Sequence, residues 1–432
     1  MKIKMLLFLL LCNTLVNAQI KISSLKEALS LAEQNSYSSK INVLQQNLAA
    51  LTTKTSYGNA FNPRLPLNAS ITDNTNLPVT FVPGEAFGGK PGTLSPITLG
   101  IRYVSVLNVS PQFEILNFGN IAKIKSAKAN EELVNNNVLM NKKNLFDQVN
   151  AAYHNIISYQ AQIRVLEQNK AKADSLFITV SLKYEQGLVR KQDQNDAQIN
   201  VISIEDKIQQ FQIQLEQQYL SLGLLCETGD KIEVLQKINE SNIISPTKST
   251  GELSLENALL QQNYALAEKK AALWANYPSL SFVSSLNLQN NNKTSFFGAN
   301  SKVNYNTFWS LRFAWDIPTN VQKISVYKSN QINAEIAATN AKHAQLQTKI
   351  QNEQMDKDLK KALAQLKNNL LIYKLKQENF EKSKNQFNAN ILSLDKLLLA
   401  HNDLLLSEIN VQTSLANVSF YQSKIEINNQ IK

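Results

Sequence analysis

The sequence predicts a mainly α-helical protein with a smaller β component, in which long helices pair as antiparallel hairpins. Two observations support this fold class. Apolar residues recur every 3.5 residues over long tracts, while two shorter regions alternate strictly between apolar and polar residues. In addition, all ten prolines lie outside the predicted long helices. A spacing of 3.5 is typical of helices that pack along one another through a continuous seam.

The chain of 432 residues begins with a predicted export signal at residues 1–18. Lys2 and Lys4 precede an apolar run that is too short to span a bilayer, and a small-residue cleavage site lies before Gln19. Cys12 leaves a lipoprotein signal as the alternative. Removal of the leader lowers the formal charge from +10 to 10 − 2 = +8.

The first half of the mature chain, residues 19–228, is predicted to form one repeat. Its elements are a helix over 24–59, a β-hairpin over 64–110, a long helix over 119–185 and a helix over 190–228. The seam of the long helix steps by four and three residues from Leu145 to Tyr184. Its roughly 65 residues would make a rod of about 100 Å. Residues 76–96 are rich in proline and glycine and are predicted to be a loop.

A mixed connector over 229–253 leads to a second repeat over 254–432. Its elements are a helix over 254–276, a β-hairpin over 279–317, a long helix over 319–387 and a helix over 391–430. The opening phrase SLKEALSLAEQNSY at 24–37 returns as SLENALLQQNYAL at 254–266. This recurrence predicts an internal repeat of roughly 200 residues.

The two hairpins supply four strands, each with one apolar face. Trp309 and Trp315 lie on the same predicted face as Leu311 and Phe313, and such aromatic residues suit a lipid interface. Four strands cannot close a barrel, whereas three copies would supply twelve, enough for a membrane barrel. The alternative is a soluble sandwich whose apolar faces point inward.

Several landmarks in this order resemble the TolC-type outer-membrane efflux protein family over essentially all of the mature chain. They are the recurring opening phrase, the prolines Pro63 and Pro278 before each hairpin, the segment PQFEILNFGN at 111–120 and the motif YEQGLVRKQDQNDAQ at 184–198. The resemblance implies a homotrimer with a twelve-stranded β-barrel in the outer membrane and a helical α-barrel in the periplasm. It also implies passive export of drugs, toxins or proteins from an inner-membrane pump through a periplasmic adaptor.

The resemblance places the periplasmic tip at the two helix reversals. We expect these residues to form the tip turns and a pore mouth or adaptor contacts: Tyr184, Gly187, Asp193, Asp196, Phe387, Asn390, Asp395 and Lys396. Gly187 permits a positive φ that would let one helix reverse into the next. The alternative is that it is an ordinary helix C-cap. Asp193 and Asp196 share a helix face, and the alternative is that they complement the helix dipole.

The second reversal departs from the family pattern. Asn390 replaces glycine, although asparagine also tolerates the left-handed conformation. Lys396 stands where an acidic residue is expected, and Asp395 comes one residue earlier. The acidic constriction of the family is therefore in doubt at this tip.

The sequence argues against an enzyme, and no cofactor or metal site is predicted. His154, His343 and His401 are far apart, and none has the spacing of a metal pair. No basic run interleaved with aromatic residues is present, which argues against nucleic acid as a partner. Cys226 is expected to be a small buried hydrophobe. The alternative function is a soluble periplasmic coiled-coil scaffold or adaptor.

Overall fold

A computed structural model describes residues 20–236, 248–299 and 301–431 of the chain. The predicted export signal at 1–18 lies outside the described residues, as do residues 237–247 of the predicted connector. The chain forms two units, each built from separate stretches of sequence. The helical unit contains the described parts of Met1–Gln46, Asn135–Ala258 and Ala341–Lys432, and the sheet unit contains those of Asn47–Val134 and Leu259–Asn340.

Most of the described chain is helical. The helices are α1 (Leu25–Asn35), α2 (Tyr37–Phe61), α3 (Phe118–Glu185), α4 (Lys191–Leu225), α5 (Leu253–Trp274), α6 (Val321–Asn388) and α7 (Leu394–Gln430). Both α3 and α6 contain 68 residues. Neither contains proline, and the only glycine of the pair, Gly119, lies in the first turn of α3. Within the described residues, we find no helix with the length and apolar character needed to cross a membrane.

The heptad seam predicted for the long helix is confirmed by burial. Val149, Ile156 and Leu166 on α3 are completely buried. Leu166 belongs to one apolar cluster with Ile204 of α4 and Leu405 of α7. Burial of each such side chain contributes about 1.5–3 kcal/mol, so the seam stabilises a helix that would be marginal by propensity alone.

The single helix predicted over 24–59 is wrong because Ser36 interrupts it. Ser36 has an extended ψ of 130°, and its backbone N–H donates to the Ala32 carbonyl at 3.0 Å. Its hydroxyl accepts a hydrogen bond from the Ser38 backbone N–H at 3.1 Å. One serine therefore ends α1 and caps α2, a side-chain role that competes with continuous helix.

The other helix ends differ from the predicted bounds by three residues or fewer. The largest differences are at α4, which ends at Leu225 instead of 228, and at α7, which begins at Leu394 instead of 391. The later start of α7 follows from its cap. Ser393 has the extended conformation of an N-cap residue (φ −73°, ψ 155°), so the reversal before it is longer than predicted.

The strands are more numerous than the four that were predicted. They are β1 (Ile20–Ile22), β2 (Leu67–Asp73), β3 (Val79–Pro83), β4 (Leu94–Thr98), β5 (Tyr103–Val109), β6 (Gln112–Asn117), β7 (Ile232–Val234), β8 (Ser279–Asn292) and β9 (Lys302–Ala314). In the main sheet, β2 pairs with β5, and β8 pairs with β5 and β6 along one edge and with β9 along the other. All these pairings are antiparallel.

Because β5 and β6 are separated only by Ser110 and Pro111 and pair with successive parts of β8, they act as one interrupted strand. The main sheet therefore has four strand positions. Sequence reasoning missed β6 because Pro111 and Gly119 frame it and suggest a turn.

Two small sheets correct other predictions. The segment predicted as a loop at 76–96 contains the antiparallel ribbon of β3 and β4, with a short 3-10 helix at Gly84–Phe87. Its prolines are tolerated because a two-stranded ribbon consists only of edge strands. In the helical unit, β1 pairs in parallel with β7, and β7 lies within the connector predicted at 229–253. Three-residue strands are too short for alternation to reveal.

Candidate functional site

One face of the main sheet is apolar across its strands. In register, Leu67 on β2 lies beside Val109 on β5, which lies beside Leu286 on β8. Further members of this face are Ala69, Ile71, Leu107, Phe113, Leu280, Phe282, Leu288, Trp309, Leu311 and Phe313. Nothing in the described chain covers the β9 part of this face, since Trp309, Leu311 and Phe313 are 71%, 59% and 67% exposed.

The opposite face is largely polar, and its charged residues are Glu114, Lys302 and Arg312. One row across it consists of an asparagine on every strand, because Asn68 pairs with Asn108, Asn108 with Asn287, and Asn287 with Asn306. The Asn108 amide also donates to the Ser285 hydroxyl at 2.8 Å. We refer to these four residues as the asparagine row. Sequence reasoning missed it, because only the register of the pairs reveals that the four side chains share one level.

The two tryptophans predicted to share a strand face differ in position. Trp309 lies within β9, opposite Ser284. Trp315 lies one residue beyond the end of β9, and its indole N–H donates to the Asn276 carbonyl at 3.1 Å. Trp315 therefore ties the end of the strand to the turn that follows α5.

The first reversal ends α3 with a Schellman motif. Gly187 has φ +72°, its N–H donates to the Tyr184 carbonyl at 2.9 Å, and the Leu188 N–H donates to the Lys183 carbonyl at 2.9 Å. The ring of Tyr184 lies 5.3 Å from the Lys191 ammonium. The positive φ explains the glycine, since most other side chains are strained there.

Asp193 fastens the start of α4. Its carboxylate accepts hydrogen bonds from the Arg190 backbone N–H at 2.8 Å and from the Arg190 guanidinium at 3.2 Å. The side-chain hydrogen bond from Arg190 lowers the pKa of Asp193. This is the helix-start role that the sequence left as the alternative. Asp196, one turn later, is half-buried.

The second reversal ends α6 with the same motif, although its sequence differs. Asn390 has φ +57°, its N–H donates to the Phe387 carbonyl at 3.0 Å, and the Ile391 N–H donates to the Gln386 carbonyl at 2.9 Å. Phe387 is buried in an apolar cluster of the helical unit. Asp395 and Lys396 are exposed in the first turn of α7.

Lys183 joins the two reversals. Its ammonium donates to the Asn390 side-chain carbonyl at 2.9 Å and lies 4.5 Å from the centre of the Phe387 ring. The structure thus brings Asn390 and Phe387 together with the end of α3. Lys183 was missed from the sequence because its partners lie some 200 residues away, and its place in the last turn of a helix was the only local signal.

The buried histidines have structural environments in the helical unit. His154 Nδ1 donates to the Asn150 carbonyl at 2.9 Å, and its Nε2 accepts from the Ser419 hydroxyl at 3.0 Å. Burial lowers the pKa of His154 to about 4. His401 is buried beside Asn200 and Phe380, and its Nε2 has no partner within the described residues. Cys226 is buried in the apolar core of the helical unit, which raises its pKa to about 11.

In the part of the chain that the structure describes, no three His, Cys, Asp or Glu side chains converge as they would around a metal ion. Two surfaces stand out among the described residues, the two-faced sheet and the paired reversals.

Comparison with known proteins finds one matching family. Residues 55–226 match a family model described as outer membrane efflux protein. The family resemblance is confirmed. No curated protein matches the chain in sequence.

Solved channels share the fold across nearly the whole chain. The outer membrane protein VceC of Vibrio cholerae superposes with a TM-score of 0.75 at 14% identity, covering 93% of this chain and 94% of VceC. The outer membrane channel CmeC of Campylobacter jejuni gives 0.72 at 15% identity, covering 94% and 85%. The open MtrE channel of Neisseria gonorrhoeae gives 0.66 at 13% identity, covering 94% and 88%.

The outer membrane efflux family consists of channels and not of enzymes. The localisation predicted from the sequence, the outer membrane with helices that extend into the periplasm, agrees with this family and with these structures.

Proposed function

We propose that three copies of this chain assemble into an outer-membrane channel-tunnel that gives drugs, toxins or proteins passive exit from the cell. The observation that carries this proposal is the sheet with one exposed apolar face and one largely polar face. Such alternation is what a membrane barrel requires, with apolar side chains towards lipid and polar ones towards water. The asparagine row would then line the lumen.

The unpaired edges of the sheet support assembly of three copies. β2 and β9 are its end strands, and each presents unpaired backbone groups among the described residues. Exposed edges promote pairing with another chain, and a closed barrel removes them. Pairing of β9 with β2 of the next copy would close twelve strands when three copies contribute four each.

The helices also support assembly. Leu220 and Leu224 on α4 are highly exposed, and they flank a groove of about 890 Å³ that also contains Tyr37 and Ile232. Large exposed apolar surfaces of this kind mark sites of interaction with another protein or a membrane. We propose that neighbouring copies cover them in an α-barrel.

We further propose that the reversals dock a periplasmic adaptor, through which an inner-membrane pump delivers cargo. At the two Schellman motifs, Leu188 and Ile391 are 66% and 76% exposed. The residues that follow them, Val189 and Leu392, pack against the apolar cluster that contains Phe387. Asp196, Asp395 and Lys396 would supply charge around this apolar pair, at the pore mouth or against the adaptor.

The channel is tested by light scattering of the detergent-purified protein, corrected for bound detergent, together with conductance in planar bilayers. We expect a conducting trimer. A monomer that stays soluble without detergent would instead support the scaffold alternative.

Two variants at adjacent positions of β9 test which face of the sheet contacts lipid. Leu311→Arg places a charge on the lipid face, where it costs about 2–4 kcal/mol at the bilayer midplane, and should abolish trimer insertion. Ser310→Arg, on the polar face, should insert and shift ion selectivity towards anions.

The docking proposal needs a separate readout. Leu188→Asp and Ile391→Asp should reduce the drug resistance that the complete export system confers, while the conductance of the purified trimer persists. Unchanged resistance in the double variant would remove the reversals from the docking surface.

A further inference from the structure

A cavity of about 320 Å³ opens on the surface of the helical unit between α3, α6 and α7. It is close to the reversals, since Phe387 and Asn388 are part of its wall. All of its wall comes from one chain. Its volume is at the lower end of the range for small-molecule sites, so it suits a small ligand.

His401 gives this cavity a buried hydrogen-bond donor. Its ring is 1% exposed and lines the cavity, and the Asn200 amide nitrogen lies 3.4 Å from its Nδ1. Because an amide nitrogen can only donate, Nδ1 accepts and the ring proton resides on Nε2. That N–H has no acceptor among the described residues. A buried donor left unpaired costs about 1–3 kcal/mol, which an acceptor atom in the cavity would recover.

Two lysines add positive charge to the wall. Lys172 comes from α3 and Lys384 from α6, and neither forms an ion pair within the described residues. By contrast, Lys170 and Lys376 on the same two helices each contact a carboxylate on another helix. The one carboxylate in the wall is Glu381, so the charged lining groups sum to 2 − 1 = +1.

The positive charge of Lys172 affects the pKa of His401. Burial first, and then the positive charge of Lys172, lower the pKa of His401 to about 4. At neutral pH the ring is therefore an uncharged N–H donor facing a cationic wall, an arrangement that favours an anionic acceptor.

The remaining wall is apolar and aromatic. Phe380 lies 5.3 Å from the His401 ring, measured between ring centres, and Phe387 and Leu397 are also buried there. A ligand with an aromatic body would contact these side chains, while its charged end reaches the lysines and His401.

We propose that this cavity binds a small aromatic carboxylate, with the carboxylate at His401 Nε2, Lys172 and Lys384 and the ring against Phe380. The proposal does not rest on the assembly into a channel, because one chain supplies every group. It assigns a ligand site to the helical unit.

Isothermal titration of the detergent-purified full chain with 2-naphthoate tests this site, with a detergent blank subtracted. The matched neutral probe is 2-naphthamide, and octanoate tests the need for an aromatic body. We expect 2-naphthoate to bind at least tenfold more tightly than either. Failure of 2-naphthoate to bind, or binding no tighter than 2-naphthamide or octanoate, would overturn the proposal.

Variants locate the binding. The double variant Lys172→Gln/Lys384→Gln should weaken 2-naphthoate at least tenfold, whereas Lys382→Gln, an exposed lysine on α6 outside the cavity, should change it less than twofold. His401→Phe keeps a ring beside Phe380 but removes the donor, and should weaken binding severalfold. Because the lysines are on the surface, their variant remains informative if His401→Phe fails to fold. Unchanged binding in the lysine double variant would place the anion elsewhere and refute this site.

Discussion

Acidification from pH 7 to pH 5 is predicted to destabilise the helical unit through His154 and His401. Both rings are buried and neutral, and burial lowers the pKa of each from 6.5 to about 4. Between these two values the unfolded chain binds a proton that the folded chain excludes. Stability is therefore complete above pH 6.5 and falls as the pH decreases towards 4.

The size of the effect follows from the same values. At pH 5 an unfolded histidine is almost fully protonated, whereas the buried ring is largely neutral, which costs about 2 kcal/mol per histidine. His154 has the better-defined cause, since Ser419 donates to its Nε2 and protonation would remove that acceptor. The two sites together predict a loss of about 4 kcal/mol.

Urea unfolding followed by circular dichroism at 222 nm, at one protein concentration, measures this loss. His154→Gln and His401→Gln should each remove about half of the difference between pH 7 and pH 5. His343→Gln, at an exposed position of α6, is the matched control and should leave the difference unchanged. A pH dependence equal in the wild type and both variants would refute the assignment to these histidines.

Two further predictions concern backbone positions. Gly187→Val should destabilise the first reversal by about 1–2 kcal/mol, because position 187 has a φ of +72°. Gly187→Asn should cost less, since asparagine occupies the equivalent position of the second reversal at Asn390. Equal urea midpoints for the two variants would contradict this prediction. Gly251→Ala places a Cβ against the Asn428 carbonyl oxygen and should lower the thermal midpoint, whereas Gly229→Ala, with open space around it, should not. Equal midpoints would contradict this prediction, because they would show that the segment around Gly251 can shift.

The long helices were predictable because their information is local and repeated. Each turn of α3 carries an apolar residue in the seam, and neither proline nor glycine interrupts the pattern after Gly119. The break at Ser36 was not predictable in the same way, because one serine can lie inside a helix or cap it. In the structure Ser36 is a cap, because its hydroxyl accepts a hydrogen bond from the Ser38 N–H.

The candidate surfaces were predictable in type but not in detail. Alternation indicated an apolar strand face, yet the asparagine row depends on the register between β2, β5, β8 and β9. Likewise, Gly187 and Asn390 marked the reversals, but the link through Lys183 is a contact between distant parts of the chain. The internal repeat and the roles of the tip residues stay predictions.

The interleaving of the two units constrains how the chain can fold. Leu29, near the N-terminal end of the described residues, packs in one cluster with Ile427 and Ile431, near their C-terminal end. Similarly, β1 gains its only partner strand among the described residues when β7 is available. With the export signal predicted at residues 1–18, the chain would emerge from its N-terminus and would complete the helical unit only after α7 had emerged. Until then, apolar seams of helices already translocated stay exposed, so we expect maturation to depend on periplasmic holding factors that bind such seams.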